Sequence, residues 1–129
     1  MTTATIVVIN TNPEASTRTG TRALVRSIQR LIPPHVHVVE RHFQRLAWSQ
    51  IEDLAPLAVV LGPQGVPFQS YDPTALQKLY RLIRTLRCPL LGVCGGHQAL
   101  ALAYGGLIAP VHGETLPAHG QYGSLKKMN

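Results

Sequence analysis

Cys94 stands in the run Gly92-Val93-Cys94-Gly95-Gly96, a thiol with glycine two residues before it and at both positions after it. A small–any–nucleophile–any–small pattern between a strand and a helix suits a sharp turn that lifts a nucleophile clear of the chain, because the strained backbone there tolerates only small neighbours. A thiol held this way can attack a carbonyl carbon and form a thioester. A helix starting near Gly96 would aim its amino end at the sulfur, which favours thiolate over thiol. The backbone N–H of Gly95 is then free to stabilise an oxyanion. The bland alternative makes Cys94 a small buried hydrophobe among ordinary turn glycines; glycines on both sides favour the elbow. Cys88 has no such setting and reads as structural. An extended 88–94 segment would set the two sulfurs up to about 20 Å apart, beyond disulfide reach.

A catalytic base must come within hydrogen-bond reach of the sulfur. His97, His112 and His119 lie beyond the elbow, and Glu114 is the acidic residue there. His112-Gly113-Glu114 has the spacing of a His-x-Glu pair, eighteen residues after Cys94. A tail that folds back brings His112 or His119 to the thiol; the competing reading is ordinary surface histidines. His97 is expected to pack. His35, His37 and His42 show no metal-ligand grouping with the cysteines, and neither metal nor cofactor is expected.

The elements that must position Cys94 alternate between strand and helix. Thr5 to Asn10 is a short, mostly β-branched run that fits a buried parallel strand, followed by a polar loop to Gly20. From Thr21, Leu24, Ile28 and Leu31 fall at helical spacing, and Pro33-Pro34 ends that helix. His35 to Glu40 alternates as an edge strand would, and Arg41 to Leu54 has a weak helical pattern. Leu57 to Leu61 is a third strand running into Gly62-Pro63-Gln64-Gly65. Pro73 starts a helix whose apolar face is Leu76, Leu79, Tyr80, Ile83 and Leu86. Pro89 to Val93 is a fourth strand, and Gly96 to Tyr104 a helix stopped by Gly105-Gly106. The order predicts a parallel sheet covered on both faces, an α/β domain over 1–110, with 111–129 a polar loop or tail.

Composition agrees with a core-forming domain: 129 residues, 45% hydrophobic and 14% charged, which disfavours disorder and coiled coil. No run is long enough for a membrane span and no basic leader precedes the first strand, so a cytoplasmic protein without a membrane partner is expected. The net charge is +6. Arg18, Arg22, Arg26 and Arg30 recur every fourth residue and read as a solvated helix face. Stacking aromatics do not interleave with them, which argues against a nucleic-acid partner.

Gly92-Val93-Cys94-Gly95-Gly96-His97-Gln98 closely resembles the Gly-x-Cys-x-Gly-x-Gln motif of class I glutamine amidotransferases, and Ala99 to Gly106 resembles that family's continuation into a helix closed by paired glycines. Gly62-Pro63-Gln64-Gly65 is similar to its Gly-Pro-Gly loop, with Gln64 a departure. The resemblance implies a three-layer sandwich with a mostly parallel, flavodoxin-like sheet. It implies a cysteine hydrolase that takes glutamine, releases ammonia through a thioester on Cys94, and passes it to a synthase partner. Gly95 and a glycine of the turn, Gly62 or Gly65, would supply oxyanion N–H groups, and Gln98 would contact the substrate. The family completes a Cys-His-Glu triad with a His-x-Glu pair far downstream on a longer chain; this sequence ends at Asn129, ahead of that position. Three expectations follow: a truncated amidotransferase domain, a compact cysteine hydrolase acting on another amide, ester or glycoside with a local histidine, or a non-catalytic module docking a synthase through its arginine ridge. An unpaired sheet edge would favour a homo-oligomer.

Overall fold

The computed structural model describes residues 4–109. Four strands, β1 (Ala4–Asn10), β2 (Val36–His42), β3 (Ala58–Leu61) and β4 (Leu90–Gly92), alternate with helices α1 (Thr19–Leu31), α2 (Trp48–Leu54), α3 (Pro73–Thr85) and α4 (Gly95–Ala103). The strands form one sheet in the order β2-β1-β3-β4, every neighbouring pair parallel. β1 is paired on both sides, which explains its β-branched run: Val7, Val8 and Ile9 are fully buried. β2 lies at an edge, as its alternation predicts.

The helices complete a three-layer α/β arrangement. On one face Val7, Ile9, Val59 and Leu61 form a continuous core with Ile51 of α2, Leu76, Leu79, Leu82 and Ile83 of α3, and Ala99 and Ala103 of α4. Pro73 opens α3 at its first position, where the missing N–H is no loss. The Arg84 guanidinium donates to Ala103 O at 3.0 Å and so ties α3 to the carboxyl end of α4. α4 stops at Gly105 (φ 82°), and the Gly106 N–H returns to Ala101 O at 2.8 Å.

The opposite face carries α1, and here the sequence expectation needs correction. The helix starts at Thr19 rather than Thr21, and Thr21 is its one fully buried residue. Leu24 and Ile28 are half-buried, but Leu31 is 85% exposed. Helical spacing says which residues share a side, not how far the sheet beneath extends. Leu91 of β4 is also 59% exposed, because no described element crosses that end of the sheet. Arg22, Arg26 and Arg30 are exposed, as a solvated face requires, and Arg18 pairs with Glu40 of β2 at 2.6 Å.

The stretch read as weakly helical, 41–54, divides into three pieces. β2 runs on to His42, a 3-10 turn follows over Phe43–Arg45, and α2 is short. Phe43 anchors the turn in the core, Ile51 anchors α2, and Leu46 anchors the link between them. Residues 111–129, the expected polar tail, lie outside the described residues, so the proposed boundary at 110 is left as an expectation. Among the described residues no helix is long and apolar enough to cross a membrane.

Candidate active site

The turn at Cys94 is an elbow in the strict stereochemical sense. Cys94 has φ 54° and ψ −115°, a conformation that an L residue with a side chain rarely adopts. Strain of this kind costs about 1–3 kcal/mol and persists only where the surroundings over-determine it. Two glycines supply that constraint. A Cβ on Gly92 would lie 2.6 Å from Gly96 O and from His97 Cα, and a Cβ on Gly96 would strike the Leu61 carbonyl. β4 and α4 therefore meet backbone to backbone, and α4 lies directly on β3. The Val93 N–H donates to Leu61 O at 2.9 Å, which extends the pairing to the residue before the nucleophile. In the first turn of α4, Gly96 N–H donates to Val93 O, while His97 N–H and Gln98 N–H both donate to Cys94 O. The Gly95 N–H makes no hydrogen bond among the described residues. Cys94 is exposed and Cys88 half-buried, both as free thiols, and burial pushes the Cys88 thiol up from its ordinary pKa.

Beside the elbow, the turn after β3 is held by a buried polar network at the carboxyl end of β1. β1 and β3 are adjacent strands whose connections depart in opposite directions, the position where open parallel sheets form a crevice. The Gly62 N–H donates to Ile9 O at 2.9 Å and the Thr11 hydroxyl donates to Gly62 O at 2.9 Å. Asn12 Oδ1 accepts from the Gly65 N–H at 2.6 Å. Asn12 is fixed in turn by Nδ2, which donates to Asn10 Oδ1 at 2.8 Å and to Thr17 O at 3.0 Å. The Tyr71 hydroxyl donates to Thr11 O, and burial pushes its pKa well above the ordinary phenol value. Over this turn lies Gln64. Its Nε2 donates to Val66 O at 2.9 Å, while its Oε1 is buried with no partner among the described residues.

The family model described as Glutamine amidotransferase class-I matches residues 19–129. The chain belongs to the class I glutamine amidotransferase family. Component 2 of anthranilate synthase from Pseudomonas aeruginosa is 40% identical over 78 residues, 57% of this chain and 37% of that protein. The corresponding protein of Thermus thermophilus is 34% identical over 80 residues, 58% of this chain and 37% of the relative. The glutamine-hydrolyzing GMP synthase of Thermomicrobium roseum is 38% identical over 63 residues, 49% of this chain and 11% of that enzyme. The chain thus spans little more than a third of the component 2 proteins.

Within this amidotransferase chain the expected site residues separate into three groups. Cys94, Gly95 and Gln98 come together at the start of α4, with Gln98 half-buried one turn beyond the sulfur. Gly62 and Gly65 sit in the adjoining turn, but both of their N–H groups are already engaged, by Ile9 O and Asn12 Oδ1. In this arrangement those two N–H groups hold the turn, while among the described residues the Gly95 N–H beside the thiol is unengaged. His112, Glu114 and His119 lie outside the described residues. His97, expected to pack, is instead exposed on α4, because the face of that helix directed at the core is already filled by Gly96, Ala99 and Ala103. The Asn10-Thr11-Asn12 network was not foreseen. Its available signal was a polar triplet directly after a buried strand, which marks a crevice end rather than a plain loop.

His42 closes this network from the β2 side. Its Nε2 pairs with Asn12 O at 2.6 Å, and its Nδ1 accepts from the Gln44 N–H at 3.3 Å. That donor–acceptor pattern fits the neutral ring, with the proton on Nε2. Burial lowers its pKa, opposed by the Asn12 carbonyl; Arg45 and Lys78 also lower it and Glu14 raises it. A depressed imidazole pKa gives stability that is complete above the unfolded value of about 6.5 and lost as pH falls below it. We expect the urea midpoint to drop between pH 7 and pH 5 in the wild type and to drop less in His42→Gln. Parallel profiles for the two proteins would show that His42 is not the source.

Proposed function

We propose that the chain is the glutamine-hydrolysing part of an amidotransferase, cleaving the side-chain amide of glutamine to glutamate and ammonia. The observation that carries this reading is the strained backbone of Cys94, which holds an exposed thiol at the amino end of α4 next to an unengaged N–H. The thiolate attacks the amide carbon, and the carbonyl oxygen becomes an oxyanion facing the Gly95 N–H. Collapse of this intermediate breaks the C–N bond, the nitrogen leaves as ammonia with the proton that the base took from the thiol, and Cys94 is left as a glutamyl thioester. Water then adds to the thioester carbon, the bond to sulfur breaks, and glutamate leaves as the Cys94 thiol is regenerated. Gln98, one helical turn on, orients the substrate. The base falls to His112 with Glu114 behind it, or to His119, and His112→Ala and His119→Ala distinguish them by which one lowers turnover.

The relatives named as component 2 of anthranilate synthase favour a synthase subunit as the partner that receives the ammonia. The deciding experiment is glutamate release from glutamine by wild type and Cys94→Ala. The expected loss is about 10⁴-fold or more, into the background, as for other covalent nucleophiles. Activity retained by Cys94→Ala would overturn the reading.

A further inference from the structure

We infer that Gln64 is a built-in occupant of the carboxamide position beside Cys94, a cover that must swing away before a substrate amide can meet the Gly95 N–H. The inference rests on the glutaminase reading and adds a gate to that site.

Three observations converge on it. First, the side chain lies flat against Gly95: a Cβ built there would be 2.7 Å from Gln64 Cγ and from Oε1, and 2.8 Å from Cδ. The side chain from Cγ to Oε1 thus lies against Gly95, the residue whose N–H is assigned to the oxyanion. Second, the group is anchored at one end only. Nε2 is tied to Val66 O, while Oε1 is buried and unpartnered. A buried acceptor without a donor is a weak point in a packed structure, because it regains a partner on moving into water. Third, the turn beneath stays fixed when the side chain moves, since Gly62 is bonded to Ile9 and Thr11, and Gly65 to Asn12. Withdrawal therefore needs side-chain rotation and loss of one hydrogen bond, not refolding of the turn.

The chemistry of the cover matters as much as its position. Gln64 ends in a primary carboxamide, the same group that the reaction cleaves, so it excludes the substrate amide by resembling it in shape and polarity. Its oxygen is not hydrogen-bonded to the Gly95 N–H, so its own carbonyl is not polarised. Cys94 is exposed with Gln64 in this position. A small alkylating agent that needs no seated carbonyl should reach Cys94 whether or not the cover is in place.

Three readouts on the full chain test this in wild type, Gln64→Ala and Gln64→Asn, whose amide is one methylene too short to lie over Gly95. Hydrogen exchange at the Gly95 amide, followed by NMR, reports the cover itself and should be faster in both variants. Labelling of Cys94 by a chloroketone analogue of glutamine should rise about tenfold, the factor recovered when a site open about a tenth of the time becomes always open. Labelling by iodoacetamide should change less than about twofold, since it needs no seated carbonyl. Unchanged Gly95 exchange in both variants overturns the cover, whatever the labelling shows. Faster exchange with no chloroketone labelling in any of the three proteins retains the cover over Gly95 but overturns the glutaminase reading, and with it the role as a substrate competitor.

Discussion

Gly96→Ala is expected to lower stability by about 3 kcal/mol or more, at the upper end for an overpacked interior. For a chain of this length that corresponds to a fall of roughly 10 °C in the melting midpoint. The new methyl would land on the carbonyl of Leu61, a fully buried residue of the third strand, and neither partner has a rotatable side chain to yield. The last helix must therefore move away from the sheet and take the first turn after Cys94 with it. Gly92→Ala meets Gly96 O and His97 Cα and should fail in the same way. Gly95→Ala is the informative contrast, because its methyl meets the side chain of Gln64, which can rotate. Its cost should stay near 1 kcal/mol. Thermal melts of the three variants check the ordering, and a wild-type midpoint for Gly96→Ala would contradict the direct contact between helix and third strand.

Replacing the nucleophile should separate activity from stability. Cys94 is held at positive φ, where glycine is free of the penalty that every other residue bears. Cys94→Gly removes strain of about 1–3 kcal/mol and loses part of that gain, roughly 0.5–1 kcal/mol, to the extra freedom of glycine in the unfolded chain. A net rise of about 1 kcal/mol, or a few degrees in melting temperature, is expected with complete loss of glutamine hydrolysis. Cys94→Ala removes the sulfur but keeps the strain, so it should lose activity at nearly unchanged stability. Equal midpoints for the glycine and alanine variants would mean that the strain is not carried by this residue. The opposite signs are those expected where a reactive position is held against its local preference.

The elbow was legible in the sequence because its constraint is local and steric. A backbone turn at Cys94 with a strand and helix in contact admits only glycine at 92 and 96, and those letters stand at fixed offsets. The central strands were legible for a similar reason, since β1 and β3 are β-branched runs buried on both faces. The third helix could be read from Pro73 and its apolar spacing. What was not legible depended on partners remote in the chain. Asn12 meets Gly65, and Thr11 meets Gly62 and Tyr71, across separations that leave no periodic trace. The family resemblance implies an oxyanion donor from one glycine of the turn, and no local pattern reveals that Ile9 and Asn12 hold the N–H groups of Gly62 and Gly65. Phe43, Leu46 and Ile51 are single anchors of short pieces, too few to set up a period. Leu31 shows the reverse: the helical stripe was real, but its end overhangs whatever the described sheet can cover.

The fourth strand, only three residues long and last in the order β2-β1-β3-β4, gives the nucleophile an asymmetric neighbourhood. On the side of the third strand the elbow is walled by the Gly62–Gly65 turn, whose Gln64 lies against Gly95. On the other side the described sheet simply stops. Cys94 therefore stands on the perimeter of the described sheet, with that turn on its inner side. Among the described residues the fourth strand has a neighbour on one side only, and Leu91 on it is exposed. Rigidity at Cys94 thus comes from the third strand, while its exposure belongs to the border of the described sheet.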